Sequence, residues 1–450
     1  MKRFLSAAAA LILTAFTGIH AQNSLDAFDF RLDHKDGQYA LGDTVCLTMT
    51  PPQDAGAALR MTTYINGLNT GDTVDVVPVR NSGCIYRAAW SEPVAVMLEF
   101  SRKGAPADGD KFTIGYIVGA EQFKTGWEAP KDLHRFWKKQ IRELRKVPME
   151  VKLTPVPLND EDALKYECFA VEINSIDTIP VRGYITRPKD APAKSLPIVA
   201  QLHAAGVAGG WCRATVKGAL EYTRQGAIAI DFNAHGMLND APEEYYQELE
   251  NGRLKGYSTP IITDHESYYF RTMFLRAVRA LDYITQDAAW DGKRLMVTGE
   301  SQGGAQSAAL VGIYRKVSDA AMYVPAMIGT GGMAAGRLSA WPKPLEKNGL
   351  DSPAMKVAPY YDGALLLKGS KANLFVEVGL IDVTCPPAEI FSGLNGAKGR
   401  KVIETSPYRP HHCKMADRYM VDWRERVLQS RLDYIDEFMN RACGTRPRSR

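Results

Sequence analysis

The sequence predicts an α/β domain built on a parallel sheet, preceded by a smaller all-β sandwich, and three observations carry that prediction. Beyond Trp127, runs that are apolar along their whole length alternate with helix-prone segments, as strands buried on both faces do; they cover residues 196–202, 227–232, 294–298, 321–326, 373–378 and 401–404. Before Lys124 the runs are short and alternate apolar with polar residues, separated by the turn dipeptides Asp36-Gly37, Asn66-Gly67 and Asp108-Gly109, a spacing expected of a small antiparallel sandwich. Finally, the run at 294–298 leads into Gly299, Glu300, Ser301, Gln302 and Gly303 and then a helix-prone stretch at 306–316, a strand–turn–helix with serine at the turn.

Taken in order, the chain begins with Lys2 and Arg3, an apolar run at 4–16 and Ile19-His20-Ala21. This is the pattern of a secretory signal peptide over residues 1–21, with the mature chain starting at Gln22 in the periplasm or outside the cell. A membrane anchor is the competing reading of the same run, which is short for a span, and no later stretch is long and apolar enough to cross a bilayer. Residues 22–125 form the expected immunoglobulin-like sandwich and 126–443 the catalytic domain. Cys46 and Cys84 both fall in strand-like sequence of the sandwich, where a disulfide and two free thiols are equally open. Cys168, Cys212, Cys385, Cys413 and Cys443 show no C-x-x-C spacing and read mostly as buried thiols. Residues 130–144 read as an amphipathic helix, and apolar stripes at 268–285 and 416–442 read as helices facing the core. With 450 residues, 45% hydrophobic, 24% charged and a formal net charge of +4, nothing in the composition points to nucleic acid.

The chemistry is read from the serine. A hydroxyl is a poor nucleophile unless the backbone lifts it clear and aims it at a base. Small residues at 299 and 303 let strand and helix approach around Ser301, and the helix start offers the Gln302 backbone N–H to developing negative charge. In an α/β-hydrolase the acid and then the histidine follow the serine, each on a loop after a later strand. Only His411 and His412 lie beyond Ser301, just after the run at 401–404. Asp382 stands just past the run at 373–378, whereas Asp351 and Asp362 precede it and read as surface or capping groups. His411, His412 and Cys413 are sequence neighbours, and such neighbours rarely converge on one ion, so no metal and no cofactor is expected.

At these residues the chain resembles the acetyl xylan esterases and cephalosporin C deacetylases of the carbohydrate esterase 7 type. The resemblance runs from about Glu128 to Met439 through Pro130 to Trp137, Tyr268-Tyr-Phe-Arg271, Ala277 to Leu281, Gly299-Glu-Ser-Gln-Gly-Gly304, Gly379-Leu-Ile-Asp382 with Cys385-Pro-Pro387, and the histidine segment. It implies Ser301 as nucleophile, Asp382 as acid and His411 as base, with His412 where the family usually has glutamate. Two departures stand out. Asn233-Ala-His235 replaces the family's Arg-Gly-Gln, leaving His235 as a neutral substitute for a charged brace, and His203-Ala-Ala205 replaces its His-Gly-Tyr loop. Because an oxyanion hole uses main-chain N–H groups, Ala205 and Gln302 remain its expected donors. Family members often form hexamers, so a homo-oligomer stays open, with an added N-terminal module able to block or replace that contact.

Three functions follow from different classes. The leading expectation is a secreted serine esterase removing O-acetyl groups from an acetylated oligo- or polysaccharide, or another small acetyl ester. The others are a serine peptidase of the prolyl oligopeptidase type, whose repeated propeller blades are missing from this sequence, and a non-catalytic carbohydrate-binding protein that kept the fold.

Overall fold

The computed structural model describes residues 25–52, 58–76, 83–106 and 109–441; the expected leader, Gln22, Cys443 and most of the basic end lie outside them. The chain forms two compact units. Of the described residues, the smaller comprises those up to 122 together with 379–381 and 405–423, and the larger comprises 123–378, 382–404 and 424–441.

Among the described residues the smaller unit holds eight strands: β1 (Asp29–Leu32), β2 (Gln38–Tyr39), β3 (Thr44–Thr50), β4 (Leu59–Ile65), β5 (Thr73–Val76), β6 (Cys84–Ala89), β7 (Val94–Arg102) and β8 (Lys111–Val118). They make a three-stranded sheet, β1-β3-β6, and a five-stranded one, β2-β8-β7-β4-β5. All pairings are antiparallel except β2 with β8, a departure from the expected pattern. Alternation turns Val45, Leu47 and Met49 inward from β3, and one core joins residues of both sheets, among them Phe30, Leu47, Leu98, Phe100 and Ile114. A disulfide links Cys46 on β3 to Cys84 on β6.

The larger unit is built on nine strands, of which the last residue of β16 and the last two of β17 fall in the smaller: β9 (Val151–Pro155), β10 (Tyr166–Ile173), β11 (Val181–Pro188), β12 (Leu196–Leu202), β13 (Ile228–Phe232), β14 (Trp290–Glu300), β15 (Asp319–Tyr323), β16 (Asn373–Gly379) and β17 (Lys401–Ser406). Their order is β17-β16-β15-β14-β12-β13-β11-β10-β9. The sheet is mixed: the apolar runs from β12 to β16 pair parallel as expected, and the strands that precede them do not. From β13 through β12, β14 and β15 to β16 it is parallel, and β9, β10, β11 and β13 pair antiparallel. The reason is loop length: the links at 156–165 and 174–180 are shorter than the roughly twelve residues that a parallel crossover needs.

Every residue of β13, β15 and β16 is buried, as covered parallel strands require. The first expected stripe is a helix, Phe270–Ile284, that buries Phe270, Met273, Phe274, Val278, Leu281 and Ile284. The second is interrupted: Asp417–Trp423 and Gln429–Asn440 flank a π-helical turn, Arg424–Leu428, which shifts the register and leaves Met420 and Trp423 only half-buried. The strand expected at 321–326 stops at Tyr323, because Val324 turns out of it with φ of 38°.

The sheet order sets up a crevice. From β12 the chain passes to β13 on one side, while β14 lies on the other, so the loops after β12 and β14 diverge at a topological switch point, where open α/β sheets bind ligands.

Candidate active site

Ser301 sits at that switch point, immediately after β14 and capping the helix Gln302–Ile313. Its φ of 54° and ψ of −115° lie where L-residues rarely go, and a web of backbone hydrogen bonds holds it there. Its amide donates to the Tyr323 carbonyl at 2.9 Å, and its own carbonyl accepts from Ala305 and Ala326, each at 3.0 Å. A Cβ on Gly299 or Gly303 would strike the Leu202 carbonyl, so the two glycines let the elbow press against the end of β12. The register agrees, since Leu202 pairs with Gly299. Gln302 opens the helix, whose first amides lack intrahelical partners.

The loop after β12 carries Ala205, half-buried, and is tied down by groups that local sequence does not reveal. His203 is buried and pairs through Nε2 with the fully buried Asp231. Burial alone would push this imidazole down, but the charge and hydrogen bond of Asp231 outweigh it and the net shift is upward. The Ala205 carbonyl accepts from Trp211 Nε1 at 2.9 Å. Gly206 is clamped at both backbone atoms: its amide donates to the Tyr257 hydroxyl at 3.3 Å, and its carbonyl lies 3.1 Å from His235 Nε2. Tyr257 in turn donates to Gln302 Oε1 at 2.8 Å, so one hydroxyl joins this loop to the residue after the serine.

His235 is indeed neutral, its pKa driven down to about 3, first by burial and then by the Arg276 charge. A carbonyl only accepts, so Nε2 carries the proton and Nδ1 accepts from the Tyr269 hydroxyl, 2.6 Å away. A charge stands one step further back: buried Arg276 reaches Tyr269 OH at 3.5 Å and pairs with Asp177. Tyr269 and Arg276 lie beside or within the motifs that carried the resemblance, and Tyr257 carries no local signal.

A pH dependence follows from His235. Between its ordinary value of 6.5 and about 3 the unfolded chain binds a proton at this residue and the fold does not, so stability falls as pH drops through that window. Denaturant titrations at about pH 7 and about pH 4 should show a smaller loss of stability for His235→Gln than for the wild type. An equal loss would mean the residue does not carry the effect.

Asp382 lies three residues past β16 and is 2% exposed. Its Oδ1 accepts from the amides of Thr384 and Cys385, both at 2.8 Å, a turn that holds the carboxylate in one orientation. Cys385 is fully buried, and burial followed by the Asp382 charge pushes its thiol well above the usual range, so it stays protonated. Asp362 is buried, not on the surface: it caps Gly363–Leu366 through Ala364 N and also accepts from Gly329, Thr330 and Trp127. Asp351 is exposed, as expected. Cys168 and Cys212 are buried like Cys385, whereas Cys413 is exposed.

Ser301, Gln302, the Ala205 loop and Asp382 thus belong to the larger unit, and His411 to the smaller. His411 is half-buried and His412 exposed. Between β17 and the imidazole, buried Arg409 grips the chain through Nη1, which donates to the carbonyls of Pro410 and His411, both at 2.7 Å. Sequence reasoning passed over this arginine.

Comparison with known proteins agrees with this architecture. The acetyl xylan esterase (AXE1) family matches residues 119–426. Acetyl esterase Axe7A of Xylanibacter ruminicola is 27% identical over 297 residues, a match covering 65% of this chain and 65% of the relative, so less than two thirds of that relative's length is spanned. In fold, the chain is similar to an acetyl xylan esterase from Paenibacillus sp. R4, with a TM-score of 0.55 and 21% identity over 69% of this chain and 98% of that one. It is likewise similar to acetyl xylan esterase 1 from Thermoanaerobacterium sp. JW/SL YS485, with a TM-score of 0.52 and 18% identity over 71% and 97%. With an α/β-hydrolase-like sheet, a strained serine elbow and a family match over most of its length, the chain belongs to the acetyl xylan esterase family.

Proposed function

We propose that this protein is a serine esterase that removes O-acetyl groups from carbohydrates. The observation that carries the reading is Ser301, held at positive φ on an elbow between β14 and its helix, in a chain of this family. In the proposed reaction His411 takes the proton from Ser301 Oγ as that oxygen attacks the ester carbonyl carbon, and Asp382 fixes the imidazole tautomer. The tetrahedral oxyanion rests against the backbone N–H groups of Gln302 and Ala205. Collapse breaks the bond to the sugar oxygen, which leaves with the proton from His411. Water then attacks the acetyl-enzyme, giving its proton to His411, and acetate departs as Ser301 recovers its hydrogen. No metal or cofactor enters these steps.

Convergence of the three side chains is supported by chain order and sheet order: Asp382 follows β16, His411 follows β17, and the two strands are neighbours. The Tyr257 hydroxyl bears on the same chemistry. Tyr257→Phe leaves Gly206 N–H and Gln302 Oε1 without their shared partner, and kcat on 4-nitrophenyl acetate is expected to fall about ten- to a hundred-fold with KM little changed. An unaltered kcat would detach the clamp from the oxyanion site.

Assays separate the classes. Acetate release from acetylated xylo-oligosaccharides and hydrolysis of 4-nitrophenyl acetate are expected. Cleavage of a prolyl 4-nitroanilide without acetate release would favour a peptidase, and binding without turnover a carbohydrate-binding protein.

The two sheets with their common core support an immunoglobulin-like sandwich over 22–125, ahead of a catalytic domain over 126–443. The composition of residues 1–21 supports export to the periplasm or beyond. Among the described residues no helix is long and apolar enough to cross a membrane.

A further inference from the structure

The segment bearing His411 belongs, with the last two residues of β17, to the smaller unit. Residues 405–423, together with 379–381, belong to the smaller unit, and the contacts that hold them there come from the N-terminal strands. The Tyr408 hydroxyl donates to the Phe30 carbonyl at 2.8 Å, and the Phe30 amide donates to Tyr419 OH at 3.1 Å. The two tyrosine rings stack at 3.8 Å, and Tyr419 packs into the core that Phe30, Phe100 and Phe112 form. Thr405 Oγ1 donates to the Asp36 carbonyl at 2.6 Å. On β8, the Gly115 amide donates to the Pro407 carbonyl at 2.9 Å.

The same strand bears on the residues leading to Asp382. A Cβ at Gly115 would strike the Leu380 carbonyl, lying 2.7 Å from its carbon and 3.0 Å from Ile381 Cγ2. Leu380 N donates to the Ser406 carbonyl at 2.9 Å, and Gly379 packs so closely against the Arg409 carbonyl that it has no room for a side chain. Gly115 therefore touches, at one point of β8, both Leu380, two residues before Asp382, and Pro407, four residues before His411.

We infer that the N-terminal strands position the base of the esterase: β8 at Gly115, and β1 through Tyr408 and Tyr419, set the course of the segment that bears His411. Gly115 and Tyr408 are positioning residues, acting through His411. The inference rests on the assignment of His411 made above. It gives the unit a role in the reaction itself, distinct from sugar binding or general stabilisation. A displacement of the order of 1 Å at a site remote from the chemistry lowers turnover by up to about a hundred-fold, and Gly115→Ala introduces a side chain where backbone already stands.

The test uses the full-length protein carrying Gly115→Ala or Tyr408→Phe, the second removing a single hydroxyl in case the first does not fold. Competent sites are counted by stoichiometric titration with a fluorophosphonate, and kcat and KM on 4-nitrophenyl acetate are expressed per titrated site. The expected result is a per-site kcat lower by about ten-fold or more for Gly115→Ala, a smaller loss for Tyr408→Phe, and KM unchanged within about two-fold. A merely structural role would lower the number of titratable sites and leave per-site kcat at the wild-type value. That result, in either folded variant, overturns the inference. Failure of the underlying assignment looks different, because His411→Ala would then keep its activity whatever Gly115 does.

Discussion

Ser301→Ala is expected to lower kcat on 4-nitrophenyl acetate by about four to six orders of magnitude, with the fold intact. The size follows from removing the only atom that forms the acyl bond, which leaves at most the oxyanion donors acting on a water. At about 1.4 kcal/mol per factor of ten, this is roughly 5 to 8 kcal/mol of lost transition-state stabilisation. The fold should tolerate the change, since alanine keeps the Cβ and the backbone bonds to Tyr323, Ala305 and Ala326 are untouched. Thermal melts and steady-state rates measured on one preparation check both halves. Retained turnover in a folded Ser301→Ala protein would move the chemistry to another residue.

His411→Ala should cost nearly as much, about four orders of magnitude or more in kcat, because base and nucleophile act as a unit and losing one disables the other. His412→Ala is the control. Its imidazole is exposed and its ring lies 5.4 Å from that of His411, so its loss is expected to change kcat by less than about five-fold. Kinetics of the two variants side by side decide the register: a dead His412→Ala with an active His411→Ala would exchange their roles.

How much of this was legible in the sequence depended on how local the cause was. The elbow was readable because strand, turn and helix are adjacent in the chain and two glycines flank the serine. Asp382 and His411 could be named because chain order after the serine leaves few candidates. Pairing direction was not readable in the first part of the large sheet. Apolar runs look alike whether they pair parallel or antiparallel, and only the short links before β10 and β11 carried that information. The Gly206 clamp was hidden for another reason. Tyr257, Tyr269 and Arg276 are brought to the loop by tertiary packing, and Tyr257 comes from a stretch with no recognisable pattern. Least legible was the recruitment of residues 405–423 by the N-terminal strands. The bond from Thr405 to Asp36 spans 369 positions, and nothing local in either segment marks its partner.

The most direct test of the central claim is covalent labelling. Wild type, His411→Ala and Asp382→Asn would be reacted with a fluorophosphonate and the adduct located by peptide mass spectrometry. A single adduct on Ser301, formed at least about a hundred-fold more slowly in both variants, is the expected result. An adduct on a different residue, or labelling of Ser301 at the wild-type rate when either partner is gone, would contradict it.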